Sequence, residues 1–281
     1  MEMISGGGCS ASKRKKEQDA QEQALKSSLD KIRHKFIVMS GKGGVGKSSV
    51  TVNLAMALAK KGFKVGIMDV DIHGPDIPRM LGINNEMLGV NAERKLMPLP
   101  YSENLSAVSI ESLSASKDDA IIWRGPVKHS VIRQFIADVE WGNLDFLLID
   151  SPPGTGDEPL SVAQVISGAS AIIVTTPQEV SLADVRKSIN FCKTVKMNIF
   201  GLIENMSGFE CPHCGKAIDM FGSGGGEKTA KDFAIHFLGK IPFDPKVVEC
   251  GDSGTCYLDI YSDSPVSRAF AKVADRMTEL A

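Results

Sequence analysis

The stretch Ser40–Ser49, SGKGGVGKSS, holds the residue types and spacing of a phosphate cradle. Gly41, Gly43, Gly44 and Gly46 leave backbone N–H groups free to wrap phosphate oxygens, with Val45 between them. Lys47 supplies a point charge for the β- and γ-phosphates, and the Ser48 hydroxyl can ligate Mg²⁺ with Ser49 following it. Such a loop needs one lysine, and this one has a second, Lys42. A carboxylate at the end of another strand must hold the Mg²⁺ through water; Asp150, closing FLLID, fits. Gly154 and Gly156 just beyond it would let that segment move as the γ-phosphate comes and goes. Asp69 and Asp71, in MDVDIHGPDIP, end the strand after the loop's helix. Asp71 is a candidate to orient the attacking water and Asp69 to contact the metal shell; the alternative for either is a helix-capping carboxylate.

A second chemistry sits in Cys211-Pro212-His213-Cys214, two thiols on one loop. Two ligands complete neither a tetrahedral zinc site nor a cubane cluster; four arise if two copies meet on a two-fold axis. The alternatives are a redox pair, an intrachain site that recruits Cys250 and Cys256, and a purely structural zinc. His213 is expected to point away. Cys9 reads as a tail thiol and Cys192 as a helix-face residue. Six cysteines so scattered do not form a disulfide framework, which suits a reducing compartment.

These groups need a scaffold, and the chain supplies short apolar runs alternating with helical stretches. KFIVMS (35–40), KVGIMDV (64–70), LDFLLID (144–150), ASAIIVTT (169–176), NIFGLIEN (198–205) and FLGKIP (237–242) read as buried strands. Residues 47–61 and 181–196 read as helices. The pattern predicts an α/β fold, a mostly parallel twisted sheet with helices on both faces. Residues 84–110 predict an irregular hairpin, and 206–226 a loop set into the fold. Residues 1–33 form a polar extension, Lys13-Arg14-Lys15-Lys16 and then a helix with a thin apolar face (Ala20, Leu25, Leu29, Ile32), expected to be frayed or solvent-exposed. The ATPase domain is expected over 34–281. A net charge of −2 gives no push toward nucleic acid or membrane. No apolar run is long enough to span a bilayer, and the N-terminus lacks a signal-peptide core, so a cytoplasmic protein is expected.

GKGGVGKS with its extra lysine resembles the deviant Walker A motif of the MinD/ParA/nitrogenase iron protein superfamily of P-loop NTPases. DVDIHGPDIPRMLG (69–82), WRGP (123–126), WGNLDFLLIDSPPGTGDE (141–158), NMSGFECPHCG (205–215) and GKIPFDP (239–245) narrow the resemblance to the Mrp/ApbC iron–sulfur cluster carrier ATPases, from about residue 34 onward. The resemblance implies a homodimer in which Lys42 reaches the partner's nucleotide. It also implies that Asn205 binds adenine, that Pro242–Asp244 lines the base pocket, and that a [4Fe–4S] cluster is bridged by Cys211 and Cys214 of both chains for delivery to apoproteins. Four thiolates also suit Zn²⁺. The rival from this superfamily is a MinD/ParA-like positioning ATPase with a structural zinc at the dimer interface. It calls for an amphipathic C-terminal helix or a basic face, whereas SPVSRAFAKVADRMTELA is expected to pack on the sheet. The chain departs from the family pattern in two places. It has only Cys9 where some members carry a four-cysteine N-terminal motif, and it reads Asp252-Ser-Gly-Thr-Cys256 where relatives often show Asp-x-Gly-x-Pro.

Overall fold

A computed structural model of the chain describes residue 23 and residues 25–71, 74–113, 125–211, 213–218 and 220–281. Cys9, the basic run at 13–16, Ala20, and the Trp123-Arg124 half of WRGP lie outside the described residues.

Eight strands form the main sheet: β1 (Ile32–Met39), β2 (Val65–Asp69), β3 (Leu99–Ser102), β4 (Leu105–Ser109), β5 (Leu144–Asp150), β6 (Ser170–Thr175), β7 (Asn198–Glu204) and β8 (Phe237–Lys240). Their order across the sheet is β8-β7-β6-β1-β5-β2-β4-β3. All neighbours are parallel except β3, which is antiparallel to β4 at one edge. The helices are α1 (Lys47–Lys60), α2 (Ile77–Met80), α3 (Gly125–Asp138), α4 (Asp157–Val165), α5 (Glu179–Thr194), α6 (Gly225–Asp232), α7 (Pro245–Ser253), α8 (Tyr257–Ile260) and α9 (Pro265–Leu280).

Parallel strands need crossover helices, and these cover both sheet faces, which is why the strands are apolar almost without interruption. Alternate side chains of β1 go to opposite layers. Phe36 and Val38 pack with α1, α8 and α9, while Ile37 packs with α3 and α4, and Met39 with α5. The apolar stripe of α9 (Val266, Phe270, Val273, Ala274 and Met277) is buried in the first layer against α1 and β8. That stripe is therefore used inside the domain, as expected from sequence.

Two regions differ from the sequence expectation. β1 begins at Ile32, and Leu25, Leu29 and Ile32 are buried among Ile132, Phe135 and Val139. The thin apolar face of the lead segment is thus covered rather than solvent-exposed at its C-terminal end. The stretch 84–110 holds more than a hairpin. A short ribbon pairs Gly89–Val90 with Leu96–Met97, and β4 beyond it enters the main sheet parallel to β2. Among the described residues, no helix is long and apolar enough to cross a membrane.

Candidate functional site

The loop between β1 and α1 lies where neighbouring strands end, so sheet register decides which side chains surround it. Asp69 of β2 and Asp150 of β5 pair in register, and Val38 of β1 pairs with Asp150. Gly44 and Gly46 take the left-handed conformation, at φ 80° and 79°, which L side chains adopt only under strain. Two glycines also admit close neighbours. A Cβ at Gly46 would collide with the Asn205 amide, and one at Gly41 with the backbone of Asp184 on α5. Gly46 is the N-terminal cap of α1 and lends it no side chain, so the helix's first N–H groups face the cleft.

Asp150 is fully buried, with both oxygens bonded. Its Oδ2 lies 2.7 Å from Lys47 Nζ and accepts the Ser48 hydroxyl at 2.6 Å, and its Oδ1 accepts the Thr51 hydroxyl at 2.9 Å. Lys47 Nζ is also 3.6 Å from Asp71 Oδ2. Asp69 is equally buried, but its oxygens accept from the Asp71 and Ile77 N–H groups and the Ser109 hydroxyl. Burial, and then the charge of Asp150, push its carboxyl well above the usual carboxylate range. Asp69 thereby ties the backbones of Asp71 and Ile77 to the end of β2, which holds Asp71 toward Lys47. The hard oxygens of Ser48 and Asp150, side by side, form a donor set that fits Mg²⁺. Thr51 was not singled out from sequence; it lies one helical turn after Lys47 on α1, and that spacing is the signal that could have found it.

Lys42 is half-buried in the loop. Its ammonium has no carboxylate within ion-pair distance among the described residues, while its carbonyl accepts the Ser40 hydroxyl at 2.9 Å.

The cleft around the loop, about 420 Å³, includes Gly43, Gly44, Lys47, Ser48, Asp71 and Pro153. It continues past Gly46, Ser49, Asp76 and Met80 into a cavity of about 260 Å³. Asn205, Pro242 and Asp244 line that second cavity, as do Arg79, Phe243 and Val247. Asn205 donates to the Val45 carbonyl at 2.9 Å, tying the end of β7 to the phosphate loop. Asp244 caps α7 by accepting the Lys246 N–H, and accepts the Tyr257 hydroxyl at 2.5 Å, which fixes the 242–244 wall.

Cys211 and Cys214 lie on a hairpin whose strands are Phe209–Glu210 and Ala217–Ile218. The Cys211 N–H donates to Lys216 O and the Gly215 N–H to Cys211 O, closing a tight turn. Cys214 and His213 are exposed and Cys211 is partly so. Backbone N–H groups of His213 and Cys214, with the Cys214 thiol, lower the pKa of the Cys211 thiol, which favours the thiolate that binds metal. Among the described residues no three His, Cys, Asp or Glu side chains converge on one metal site. Cys250 and Cys256 are buried in the apolar core beside α1, and burial pushes the Cys256 thiol up to about 11. Cys192 faces the core from α5, its thiol pushed up to about 12 by burial. The hairpin thus offers two thiols per chain and no more.

Another residue missed from sequence is Glu204. It is fully buried at the end of β7 and accepts the Ser207 hydroxyl, the Gly224 N–H and the Gly226 N–H. It therefore pins both ends of the cysteine loop. Only its place beside Asn205, as a carboxylate closing an apolar strand, hinted at this.

The Lys47–Asp150 pair generates a direct prediction. Asp150→Ala leaves the buried Lys47 ammonium only the more distant Asp71 and takes an acceptor from two hydroxyls, so unfolding free energy should fall by about 3–5 kcal/mol in denaturant titrations. An unchanged midpoint would show that the pair is not the anchor its burial implies.

The family model of the NUBPL iron-transfer P-loop NTPase (ParA) matches residues 31–278. An iron-sulfur cluster carrier protein from Methanocaldococcus jannaschii is 48% identical over 92% of this chain and 89% of its own length. The cytosolic Fe-S cluster assembly factor CFD1 of Kluyveromyces lactis is 46% identical over 90% of this chain and 93% of its own. Among solved structures, a nucleotide-binding protein from Archaeoglobus fulgidus in complex with ADP superposes with a TM-score of 0.75 at 39% identity, covering 88% of this chain and 95% of that one. Strand order, phosphate loop and sequence agree: the chain belongs to the ParA-type NUBPL iron-transfer family of P-loop NTPases.

Proposed function

We propose that this chain binds and hydrolyses ATP and carries a [4Fe–4S] cluster between two copies of itself for delivery to apoproteins. The observation that carries the reading is a two-thiol hairpin whose groove shares the 242–244 wall with the cavity that continues from the phosphate cleft. Two thiols per chain leave a four-thiolate site to a pair of chains, and Lys42, with no carboxylate partner among the described residues, suits a role across the same pairing. The names of the relatives, an iron-sulfur cluster carrier and a cytosolic Fe-S assembly factor, support carriage and a cytoplasmic setting. The ADP complex of the similar structure supports nucleotide at the loop.

In this reading Gly41–Gly46 and the start of α1 cradle the phosphates, and Lys47 turns from Asp150 and Asp71 toward their oxygens. Ser48 and Asp150 hold Mg²⁺, which when bound neutralises charge on the β- and γ-oxygens. Asp71 orients the attacking water, with Asp69 fixing its backbone in place of touching the metal shell. Asn205, Pro242 and Asp244 hold the base. Lys42 of each chain neutralises charge on the other's γ-phosphate, as an arginine finger does. Cys211 and Cys214 of both chains bind the cluster as cargo at an exposed hairpin, from which it can be passed on; Zn²⁺ suits the same four thiolates and is expected in protein prepared in air.

After anaerobic reconstitution, Cys211→Ala and Cys214→Ala should each lose cluster binding and transfer to an apo-acceptor while keeping ADP affinity. Transfer at the wild-type rate by either variant would end the carrier reading. Lys42→Ala should bind ADP nearly as wild type does and lose ATP turnover by about 10³-fold or more, the range of a charge supplied in trans. Full turnover in that variant would return Lys42 to an ordinary loop residue.

A further inference from the structure

The cavity assigned to the base and the groove beside the thiols share a wall. Pro242, Phe243 and Asp244 line the 260 Å³ cavity on one side. On the other they line a groove of about 820 Å³ that also includes Phe209, Cys211 and His213. The wall is joined to the cysteine hairpin by backbone as well as by rings. The Ser207 N–H donates to Ile241 O and the Phe243 N–H to Gly208 O, both at 2.9 Å, and Phe209 bridges to Phe243 as a parallel pair. The Phe243 ring meets two others edge-on: Phe209, before the thiols, at 5.9 Å and Phe221, after them, at 6.1 Å.

The root of the loop is pinned by hydrogen bonds. Glu204 holds its two ends through Ser207, Gly224 and Gly226. On either side of the pinned Ser207 lie Met206 at φ 56° and Gly208 at φ 77°, and the first is a non-glycine residue in the left-handed region. Met206 itself lines the base cavity. A hairpin pinned at its root and bent at 206–208 leans beyond that on the 241–243 wall, through the backbone bonds of Ile241 and Phe243 and through the Phe243 ring.

We propose that Phe243, clasped by Phe209 and Phe221, is a positioning residue that makes the reactivity of the Cys211 thiol depend on occupancy of the base cavity. This rests on the assignment of that cavity to the nucleotide base. A base pressing on the 242–244 wall displaces Phe243, and the two phenylalanines carry the shift to both sides of the hairpin. Two sites sharing one packed element are coupled to the extent that each ligand prefers one of its positions.

The test uses full-length protein without cluster, and follows alkylation of Cys211 by iodoacetamide through site-resolved mass spectrometry, with and without saturating Mg²⁺–ADP. ADP affinity is titrated on the same samples. In wild type, ADP should change the Cys211 rate by about fivefold or more, the low end of common coupling between sites. Phe221→Ala lies outside the base cavity and should abolish that change while still binding ADP. Phe209→Leu, which keeps most of the volume, should weaken the change in the same direction and guards against a folding defect in the first variant. A wild-type rate indifferent to bound ADP, or a full ADP response in both variants, would overturn the proposal. A wild type that binds no ADP would instead remove the base-cavity assignment, and the proposal with it.

Discussion

Lys47 lies 2.7 Å from the fully buried Asp150, and the rest of the site is arranged around that contact. Removing both charges from water is expensive, and an ion pair recovers the cost only when the remaining polar atoms are also satisfied. Here they are: Ser48 and Thr51 fill the other acceptor positions of Asp150, and both come from the first turns of α1. The phosphate loop is therefore bolted to the centre of the sheet at its helical end. At its middle it is held by Asn205, which donates to the Val45 carbonyl. Asp69 sits one strand away in register with Asp150. Burial, and then the charge of Asp150, raise the pKa of Asp69, whose oxygens are met by N–H groups and a hydroxyl, while Asp150 and, farther off, Asp71 are the carboxylates beside Lys47.

From that anchor the two halves of the proposed activity are close in space. β7 ends in Glu204 and Asn205, adjacent residues with opposite duties. Asn205 faces the phosphate loop, while Glu204 turns the other way and closes the root of the cysteine loop. The segment after β8 separates the base cavity from the thiol groove. A single chain thus brings a phosphate cleft and two thiols onto one framework.

Much of this was legible because it is local. Glycine spacing, a lysine before a serine, and a carboxylate closing an apolar run each carry their chemistry within a few residues, and the buried parallel strands announce themselves as unbroken apolar runs. What escaped depends on contacts distant in sequence. β4 reads Leu105-Ser-Ala-Val-Ser109, too short and too polar to stand out until β2 pairs with it. Leu25 and Leu29 look like the thin face of a frayed helix until α3 covers them. Asp69 reads in sequence as a metal-shell candidate or a capping carboxylate, and only its hydrogen bonds show that it holds the backbone of Asp71 and Ile77. Phe209, Phe221 and Phe243 are unremarkable singly, and acquire meaning only as three rings in contact.

In the proposed function, pairing two chains completes a thiolate site of which each chain holds half. The most direct test of that pairing is iron, acid-labile sulfide and zinc content measured on anaerobically reconstituted wild-type protein, together with the mass of the species that carries them. A dimer holding about four iron and four sulfide per pair of chains is expected. A cluster on a monomer, or a dimer holding zinc without sulfide, would contradict it.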